Sequence, residues 1–451
     1  MSPRTLLLIV LAMLIGLPVL APSISGSATT LAVRTTYMHA ETFEPSLGVD
    51  AAGRIFYSMT PVPGVAIGFG TGVWRSDDQG QTWSDVSPQI AGQRLPPETN
   101  DPYVYVDPGT GRVFQFAMSP ILVCSIMSWS DDQGASWTTN PRGCGQTPPY
   151  DHQTMVASKP RTVPTIGYPN VLSQCVNQIP WAACSRSLDG GLTWVPGTVV
   201  YTNTYPATAN SCPGSSVTGH LKAAPDGTIY LPSALCGHEA IVGVSKDDGL
   251  TWKVTKVTTI VPAAADPTIA VDEDGVAYYA FTDTTGKLQL SVSHDSGDSW
   301  SLPIVASPPG VTTNIPAMAA GAGGHIVLAY PGTVNLTSGF QTVGYSNVSS
   351  PIQKTITWHG YLTVSTDAAD TAPTFDSVIV NDVNDPLVRG QCGPGRCPGM
   401  VDFIDVVIGG DGRPYAAFTD ACQTTCVTKG RLLNTASEAM ISTLTAGPLL
   451  R

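Results

Sequence analysis

Acidic residues recur at one position of a sequence unit that repeats through the chain. Together with two histidines they form a set of seven residues, called the funnel residues from here on. They are Glu44, Asp101, Asp151, His152, His220, Asp266 and Asp402. Carboxylates brought together could bind a cation such as calcium through oxygen ligands, or hydrogen-bond to a polar ligand such as a sugar. Because like charges disfavour ionisation, one carboxyl could keep its proton and act as a general acid, with Asp101 and Asp151 as catalytic candidates. The alternative is that each acid only caps a turn.

The funnel residues lie at the start of sequence units that each predict a β-hairpin. The unit reads as an apolar strand, a turn rich in Gly or Asp, and a second apolar strand. Seven copies begin at Glu44, Asp101, Asp151, Gly219, Asp266, Ile315 and Asp402. The hairpins are therefore the elements that must position the acids.

A second motif, S-x-D-x-G-x-[ST]-W, follows five of these hairpins. Its copies occupy residues 76–83, 130–137, 187–194, 245–252 and 293–300. The carboxylate can accept backbone N–H groups, the Gly can adopt positive φ, and the Trp can pack between neighbouring sheets. A structural role is therefore predicted for the aspartates of the motif, which are Asp78, Asp132, Asp189, Asp247 and Asp295.

The motif resembles the Asp-box (BNR) repeat of sialidases and related β-propellers. A repeat of about 50 residues is typical of such arrays. The resemblance implies an all-β chain forming a single propeller over residues 29–451. Each hairpin, the strand before its box and the strand after it make one blade, so seven units predict seven four-stranded blades. Six blades, the number in sialidases, is the alternative. A degenerate box begins at Ser365, and residues 29–37 could complete a blade.

Strand alternation predicts which face of the propeller carries each feature. The boxes join the third and fourth strands and fall on the bottom face, whereas the funnel residues surround the top of the central funnel. All ten cysteines fall in connections near the top, and in an exported protein disulfides are expected. These cysteines are Cys124, Cys144, Cys175, Cys184, Cys212, Cys236, Cys392, Cys397, Cys422 and Cys426. A zinc site formed by the last four is the alternative.

One motif tests how far the resemblance to sialidases extends. Sialidases resemble one another in a Phe-Arg-Ile-Pro-Ser-Leu sequence near the first strand, whose Arg binds the substrate carboxylate. At the matching place, residues 42–47, this chain has Phe43 instead of that Arg and Glu44 instead of the following apolar residue. A phenyl ring cannot make the bidentate contact of a guanidinium. A sialidase-like fold without ordinary sialidase chemistry is therefore predicted.

The N-terminus and the charge indicate where the protein acts. Arg4 precedes an apolar run over 6–20, which predicts a signal peptide of residues 1–28 and secretion, with an uncleaved anchor as the alternative. No other stretch is apolar enough to cross a bilayer. The formal net charge of −12 and the 12% of charged residues exclude a footprint for nucleic acid or anionic lipid. A monomer is expected.

Three functions fit this pattern. The favoured one is a binding propeller that presents its top funnel to a glycan or an extracellular protein, because the arginine is missing and no nucleophile can be assigned. The second is a glycoside hydrolase or lyase using a carboxylate pair about 5–9.5 Å apart, such as Asp101 with Asp151 or Glu44 with Asp402. The third is a structural or assembly factor.

Overall fold

The protein forms a ring of seven antiparallel sheets in the computed structural model. The residues that the structure describes are 30–59, 71–90, 93–94, 101–117, 126–140, 151–178, 181–202, 212, 217–336, 355–390, 392, 397, 400, 402–423, 425–429 and 437–451. Apart from one short helix, their regular structure is all β-strand.

The first three blades follow an N-terminal strand, β1 (Ala32–Glu41). Blade 1 contains β2 (Ser46–Val49), β3 (Ile55–Met59), β4 (Gly72–Ser76) and β5 (Ser84–Asp85). A small hairpin follows, with β6 (Gln89–Ile90) and β7 (Gln93–Arg94). Blade 2 contains β8 (Tyr103–Val106), β9 (Val113–Ala117), β10 (Ile126–Ser130) and β11 (Thr138–Asn140). Blade 3 contains β12 (Asp151–Ser158), β13 (Val171–Gln178), β14 (Trp181–Ser187) and β15 (Val195–Thr202).

The next three blades repeat this order, with some innermost strands broken in two. Blade 4 contains β16 (Val217–Thr218), β17 (Lys222–Ala223), β18 (Ile229–Cys236), β19 (Glu239–Ser245) and β20 (Lys253–Thr258). Blade 5 contains β21 (Thr268–Val271), β22 (Ala277–Thr282), β23 (Leu288–Ser293) and β24 (Ile304–Val305). Blade 6 contains β25 (Thr312–Thr313), β26 (Ala317–Ala320), β27 (Ile326–Thr333), β28 (Thr357–Ser365), β29 (Asp376–Ile379) and β30 (Val388–Arg389).

The seventh blade closes the ring with strands from both ends of the chain. It contains β31 (Asp405–Ile408), β32 (Pro414–Asp420) and β33 (Glu438–Ala446), with the helix α1 (Thr425–Lys429) between the last two. β1 pairs antiparallel with β33 as the outermost strand, which confirms the prediction that the N-terminal segment completes a blade. Each innermost strand contacts that of the next blade, and β31 contacts β2. Seven blades are therefore confirmed, and the alternative of six is wrong.

Side chains between neighbouring blades form the core. The inner strands β3, β22, β23 and β27 are buried along their whole length, because a blade packs on either side. Between blades 5 and 6, for example, Tyr278 and Leu290 pack in one cluster with Leu328 and Tyr330. The ring is thus held by a series of apolar layers between blades, which makes the innermost strands a rigid frame for the funnel residues.

The Asp boxes are closed turns between the third and fourth strands. In the third box, Ser187 Oγ donates to Asp189 Oδ1 at 2.8 Å, and Thr193 donates from its N to Oδ1 at 2.9 Å and from its Oγ1 to Oδ2 at 2.6 Å. Gly191, at φ 101°, donates its N–H to Ser187 Oγ. The same contacts form around Asp78, Asp132, Asp247 and Asp295. These carboxylates are occupied in holding turns.

The degenerate sixth box closes in the same way, although its sequence lacks the Gly and the Trp. Ser365 Oγ donates to Asp367 Oδ1 at 2.8 Å. Thr374 donates from its N to Oδ1 and from its Oγ1 to Oδ2, at 2.8 and 2.9 Å. Thr374 follows Asp367 by seven residues, whereas the complete boxes use the residue four after the Asp. The longer loop hides the motif in the sequence but preserves its hydrogen bonds.

Four disulfides lie on the top face, opposite the boxes. They are Cys175–Cys184, Cys212–Cys236, Cys392–Cys397 and Cys422–Cys426. Because the last four cysteines are all in disulfides, they leave no thiolate for zinc, and that alternative is wrong. Cys124 and Cys144 lie outside the described residues. The four disulfides indicate an oxidising or extracellular environment.

The signal peptide predicted for residues 1–28 lies outside the described part of the chain. Among the residues that the structure describes, no helix is long and apolar enough to cross a membrane.

Candidate functional site

The funnel residues lie where the innermost strands begin, at the top of the ring. Glu44, Asp101 and Asp266 each precede by two residues the strands β2, β8 and β21, and Asp402 precedes β31 by three. Asp151 and His152 open β12, and His220 precedes β17. The structure describes the backbone of Asp151 but not its side chain. Six of the seven predicted funnel residues can therefore be followed to their side-chain contacts.

Two funnel residues adopt a backbone conformation that is rare outside glycine. Glu44 and His152 both have φ 49°, in the left-handed region that is unfavourable for residues with a Cβ atom. This turn interrupts the alternation of the incoming strand, so the strand pattern does not determine where the two side chains point. Residues held in such conformations cluster at functional sites, and both of these side chains enter the network described next.

Five funnel residues form one network across the mouth of the funnel. The backbone N of Asp402 donates to Glu44 Oε1 at 3.1 Å, joining blades 7 and 1. The backbone N of His152 donates to Asp101 Oδ2 at 3.2 Å, joining blades 3 and 2. The His152 ring places Nδ1 2.9 Å from Asp266 Oδ2 of blade 5 and Nε2 3.9 Å from Asp402 Oδ2. The imidazole thus spans the funnel between two carboxylates.

Glu44 is the acid of this network whose ionisation is most disfavoured. Its side chain is buried, and burial raises its pKa well above the usual range. The negative charges of Asp101 and Asp402 raise the pKa further, and the Glu44 carboxyl lies within hydrogen-bonding reach of Asp101. The charge of His152 opposes these effects only in part. Burial and the neighbouring carboxylates therefore both favour the protonated form of Glu44.

The network is nearly closed to solvent. Asp266 and Asp402 are 6% and 7% exposed, and Asp101 and Glu44 are 4% and 1% exposed. His152 is partly exposed, with 10% of its side chain accessible. A ligand at the top of the funnel would therefore reach His152 before the buried acids.

His220 takes part in an aromatic wall below the network. Its ring packs edge-on against Tyr103 and Phe403, with centroid distances of 5.0 Å to each. Burial lowers its pKa to about 3, with smaller contributions from Lys222 and His152, so the imidazole is neutral. A cavity of about 20 Å³ lies beside it, lined in part by Asp266 and Phe403. That volume is enough for one water molecule.

Comparison with known protein families identifies the same BNR repeat that the Asp boxes indicate. Residues 171–338 match the model of the BNR repeat-like domain. The protein is a seven-bladed Asp-box propeller. No curated protein matches the chain. The solved structures that resemble this propeller have low sequence identity to it, so the similarity shows the fold alone.

Three solved structures illustrate this similarity. A protein of unknown function from Dyadobacter fermentans is 13% identical, with TM-score 0.48, and the match covers 92% of this chain and 99% of that one. The intramolecular trans-sialidase of Ruminococcus gnavus is 14% identical, with TM-score 0.45 and coverages of 90% and 96%. The polysaccharide lyase Uly1 is 9% identical, with TM-score 0.50 and coverages of 87% and 88%.

The propeller has one site residue that sequence reasoning did not identify. Asp405 is the first residue of β31 and is buried in the tunnel wall. Its carboxylate accepts the backbone N–H of Leu47 at 2.9 Å and of Val406 at 2.8 Å, which ties blade 7 to blade 1. An acidic residue at the start of an otherwise apolar strand could have identified Asp405 from the sequence. It was missed because Asp402, three residues earlier, already occupies the position at which the other units carry their acid.

A metal ion at the propeller's funnel stays a prediction. Among the residues that the structure describes, no three His, Cys, Asp or Glu side chains are arranged to hold one. The contacts of the funnel residues described above are instead hydrogen bonds and ion pairs within the protein. The calcium predicted from the ring of acids is therefore a matter for experiment.

Proposed function

We propose that this propeller is an exported binding protein that recognises a glycan at the mouth of its funnel. The observation that carries the proposal is the network in which His152 lies between the carboxylates of Asp266 and Asp402 at the mouth of the funnel. Fixed carboxylate and imidazole groups are suited to the hydroxyls of a sugar, since a carboxylate accepts and an imidazole N–H donates a directed hydrogen bond. The four disulfides are consistent with export.

Two features favour binding over ordinary sialidase chemistry. Phe43 occupies the place where the resemblance to sialidases implies an arginine, and it is buried at 4% exposure. Glu44 and Asp101 are buried, at 1% and 4% exposure. This acid pair is therefore better suited to stabilise the network than to contact a sugar.

The test is binding of the oxidised protein to a glycan array, followed by calorimetry with the best ligand. Asp266→Asn should weaken binding at least tenfold because it removes the charge that orients His152. Asp298→Asn is the matched control, since it removes the same charge from an exposed pair on the bottom face. Equal affinity for the two variants, or no glycan bound by folded protein, would contradict the proposal.

A second candidate function is glycoside hydrolysis, which the raised pKa of Glu44 favours. A protonated carboxyl can transfer its proton to the glycosidic oxygen as the sugar–oxygen bond breaks. Hydrolysis of chromogenic glycosides, a sialoside included, tests this activity. Turnover that Glu44→Gln abolishes would establish the second function, because glutamine keeps the hydrogen bond to Asp402 but cannot donate a proton to the leaving group.

A further inference from the structure

A second cavity lies on the outer side of the ring, away from the funnel. It has a volume of about 900 Å³ and separates the outermost strands of blades 5 and 6, β24 and β29. Cavities of this size are typical of small-ligand sites. The funnel network sits at the innermost strands of the ring, so the two sites do not share residues of the network.

The walls of this outer cavity are preformed. On the blade 5 side, Ser307 Oγ accepts the N–H of Leu288, and Thr313 donates its N–H to Gly286 O at 2.8 Å. The rim is a Pro308–Pro309–Gly310 turn, which Val311 closes by donating its N–H to Pro308 O. Gly310 has φ 79°, the conformation that the third residue of a type II turn requires. A ligand would therefore pay little ordering entropy in the protein.

The lining of the outer cavity combines an apolar floor with polar groups at its edges. Phe375, Val305 and Pro309 supply apolar surface, and Val305 is 46% exposed. Lys287 enters from the blade 5 hairpin, and Asp376 and Ser377 enter from β29 of blade 6. A sugar ring has the matching chemistry, because its C–H faces pack on apolar side chains while its hydroxyls both donate and accept hydrogen bonds.

The strand edge beside the cavity is poorly suited to an extended peptide. Addition of a strand needs a row of backbone N–H donors along the receiving edge. β24 has only two residues, and Pro308 and Pro309 follow it shortly afterwards without an N–H group. We propose that the outer cavity between blades 5 and 6 is a second saccharide-binding site, which takes a neutral oligosaccharide. This site is independent of the funnel and of the function proposed for it.

Calorimetry with neutral xylo-, manno-, cello- and malto-oligosaccharides tests the site in the full chain. The measurement is made in the Asp266→Asn background, in which binding at the funnel is expected to be at least tenfold weaker. Lys287→Ala should lower the affinity for the best ligand at least fivefold. Phe375→Leu should lower it by the same factor, because it removes the aromatic ring while keeping apolar volume. Lys253→Ala on β20 is the matched control, because it removes an exposed lysine from another outermost strand.

The outcomes separate the alternatives. Loss of binding in both cavity variants with binding retained in Lys253→Ala supports the second site. Unchanged affinity in Lys287→Ala and Phe375→Leu, whose folding is checked by thermal unfolding, overturns it. Binding of an extended peptide in place of every oligosaccharide also overturns it, as does the absence of any oligosaccharide binding.

Discussion

The His152 Nδ1 atom lies 2.9 Å from Asp266 Oδ2, although the two residues are 114 positions apart in the chain. This contact joins blade 3 to blade 5 and passes over blade 4. An ionised Asp266 can only accept, so its ionisation would hold a proton on Nδ1. Asp402 faces the other ring nitrogen at 3.9 Å. The funnel residues are therefore one coupled unit, and the interpretation of them as separate turn caps does not account for their contacts.

Glu44→Gln should keep the fold and change its dependence on pH. Folded Glu44 has a raised pKa, so it keeps its proton above the pH at which the unfolded chain loses it. The stability of the wild-type protein should therefore fall as pH rises above the unfolded value of about 4.3. Glutamine mimics the protonated acid and still accepts the N–H of Asp402. Thermal unfolding should show a gain in Tm for the variant that is larger at pH 8 than at pH 5.

Glu44→Ala is the informative comparison for this prediction. It leaves the backbone N–H of Asp402 without its acceptor and opens a buried void, and each effect destabilises by about 1–3 kcal/mol. A gain in Tm for Glu44→Gln that is the same at both pH values would show that the acid is ionised in the folded protein.

Most of the fold follows from the sequence, because short-range patterns determine it. The residues of a box such as 187–194 are sufficient to predict its turn, and those of the hairpin that opens at Asp266 are sufficient to predict its strands. In the sixth box only the degenerate start at Ser365 was predictable, because Thr374, which closes the box, is displaced along the chain. Its hydrogen bonds depend on the length of a loop, which the motif does not specify.

The candidate site was predictable in position but not in contacts. The repeat places Glu44 and Asp402 at the top of neighbouring first strands, and they do meet there. The crossing of His152 depends on its left-handed backbone and on the diameter of the ring, and neither appears in a local pattern. The proton on Glu44 likewise depends on burial created by the assembled blades.

Asp189→Ala should destabilise the propeller by about 1–3 kcal/mol, because three hydrogen bonds lose their acceptor. Partial burial raises the pKa of Asp189, but the hydrogen bonds from Thr193 and Ser187 lower it overall. Its contribution is therefore complete above the unfolded value of about 3.9 and is lost as pH falls through the folded pKa. Urea unfolding at pH 7 and pH 3 measures both effects.

The control for the box lies in the same loop. Leu192 is 62% exposed, so Leu192→Ala should change the free energy of unfolding by less than about 0.5 kcal/mol. Equal losses in the two variants would mean that the loop is sensitive to any substitution, and that the carboxylate has no special role.

Trp252→Ala should be among the most damaging single substitutions in the boxes. Trp252 is 7% exposed and packs in one cluster with Val200 and Leu231, between blades 3 and 4. Removing a buried aromatic side chain destabilises by about 3–5 kcal/mol. Trp194 is only partly buried, so Trp194→Ala should lower Tm less. The prediction fails if the two variants unfold at the same temperature.

Asp420→Asn should stabilise the protein at neutral and higher pH. Asp420 lies at the end of β32 beside the closing strands of the ring, and burial raises its pKa to about 7. The carboxylates of Asp385 and Glu438 raise it further, against the lowering effect of the N–H that Cys422 donates. Because the folded protein keeps the proton longer than the unfolded chain, wild-type stability should fall between pH 4 and pH 7 and then level off.

Asparagine removes this penalty and can still accept the N–H of Cys422. The gain should therefore be small at pH 4 and reach on the order of a few kcal/mol at pH 8. Chemical unfolding across this range measures it. Asp376→Asn, which replaces an exposed acid on the outermost strand of blade 6, serves as the control for the loss of one acidic side chain. A midpoint near pH 4 in the wild-type curve would show that Asp420 titrates normally and that the closing seam of the ring carries no ionisation penalty.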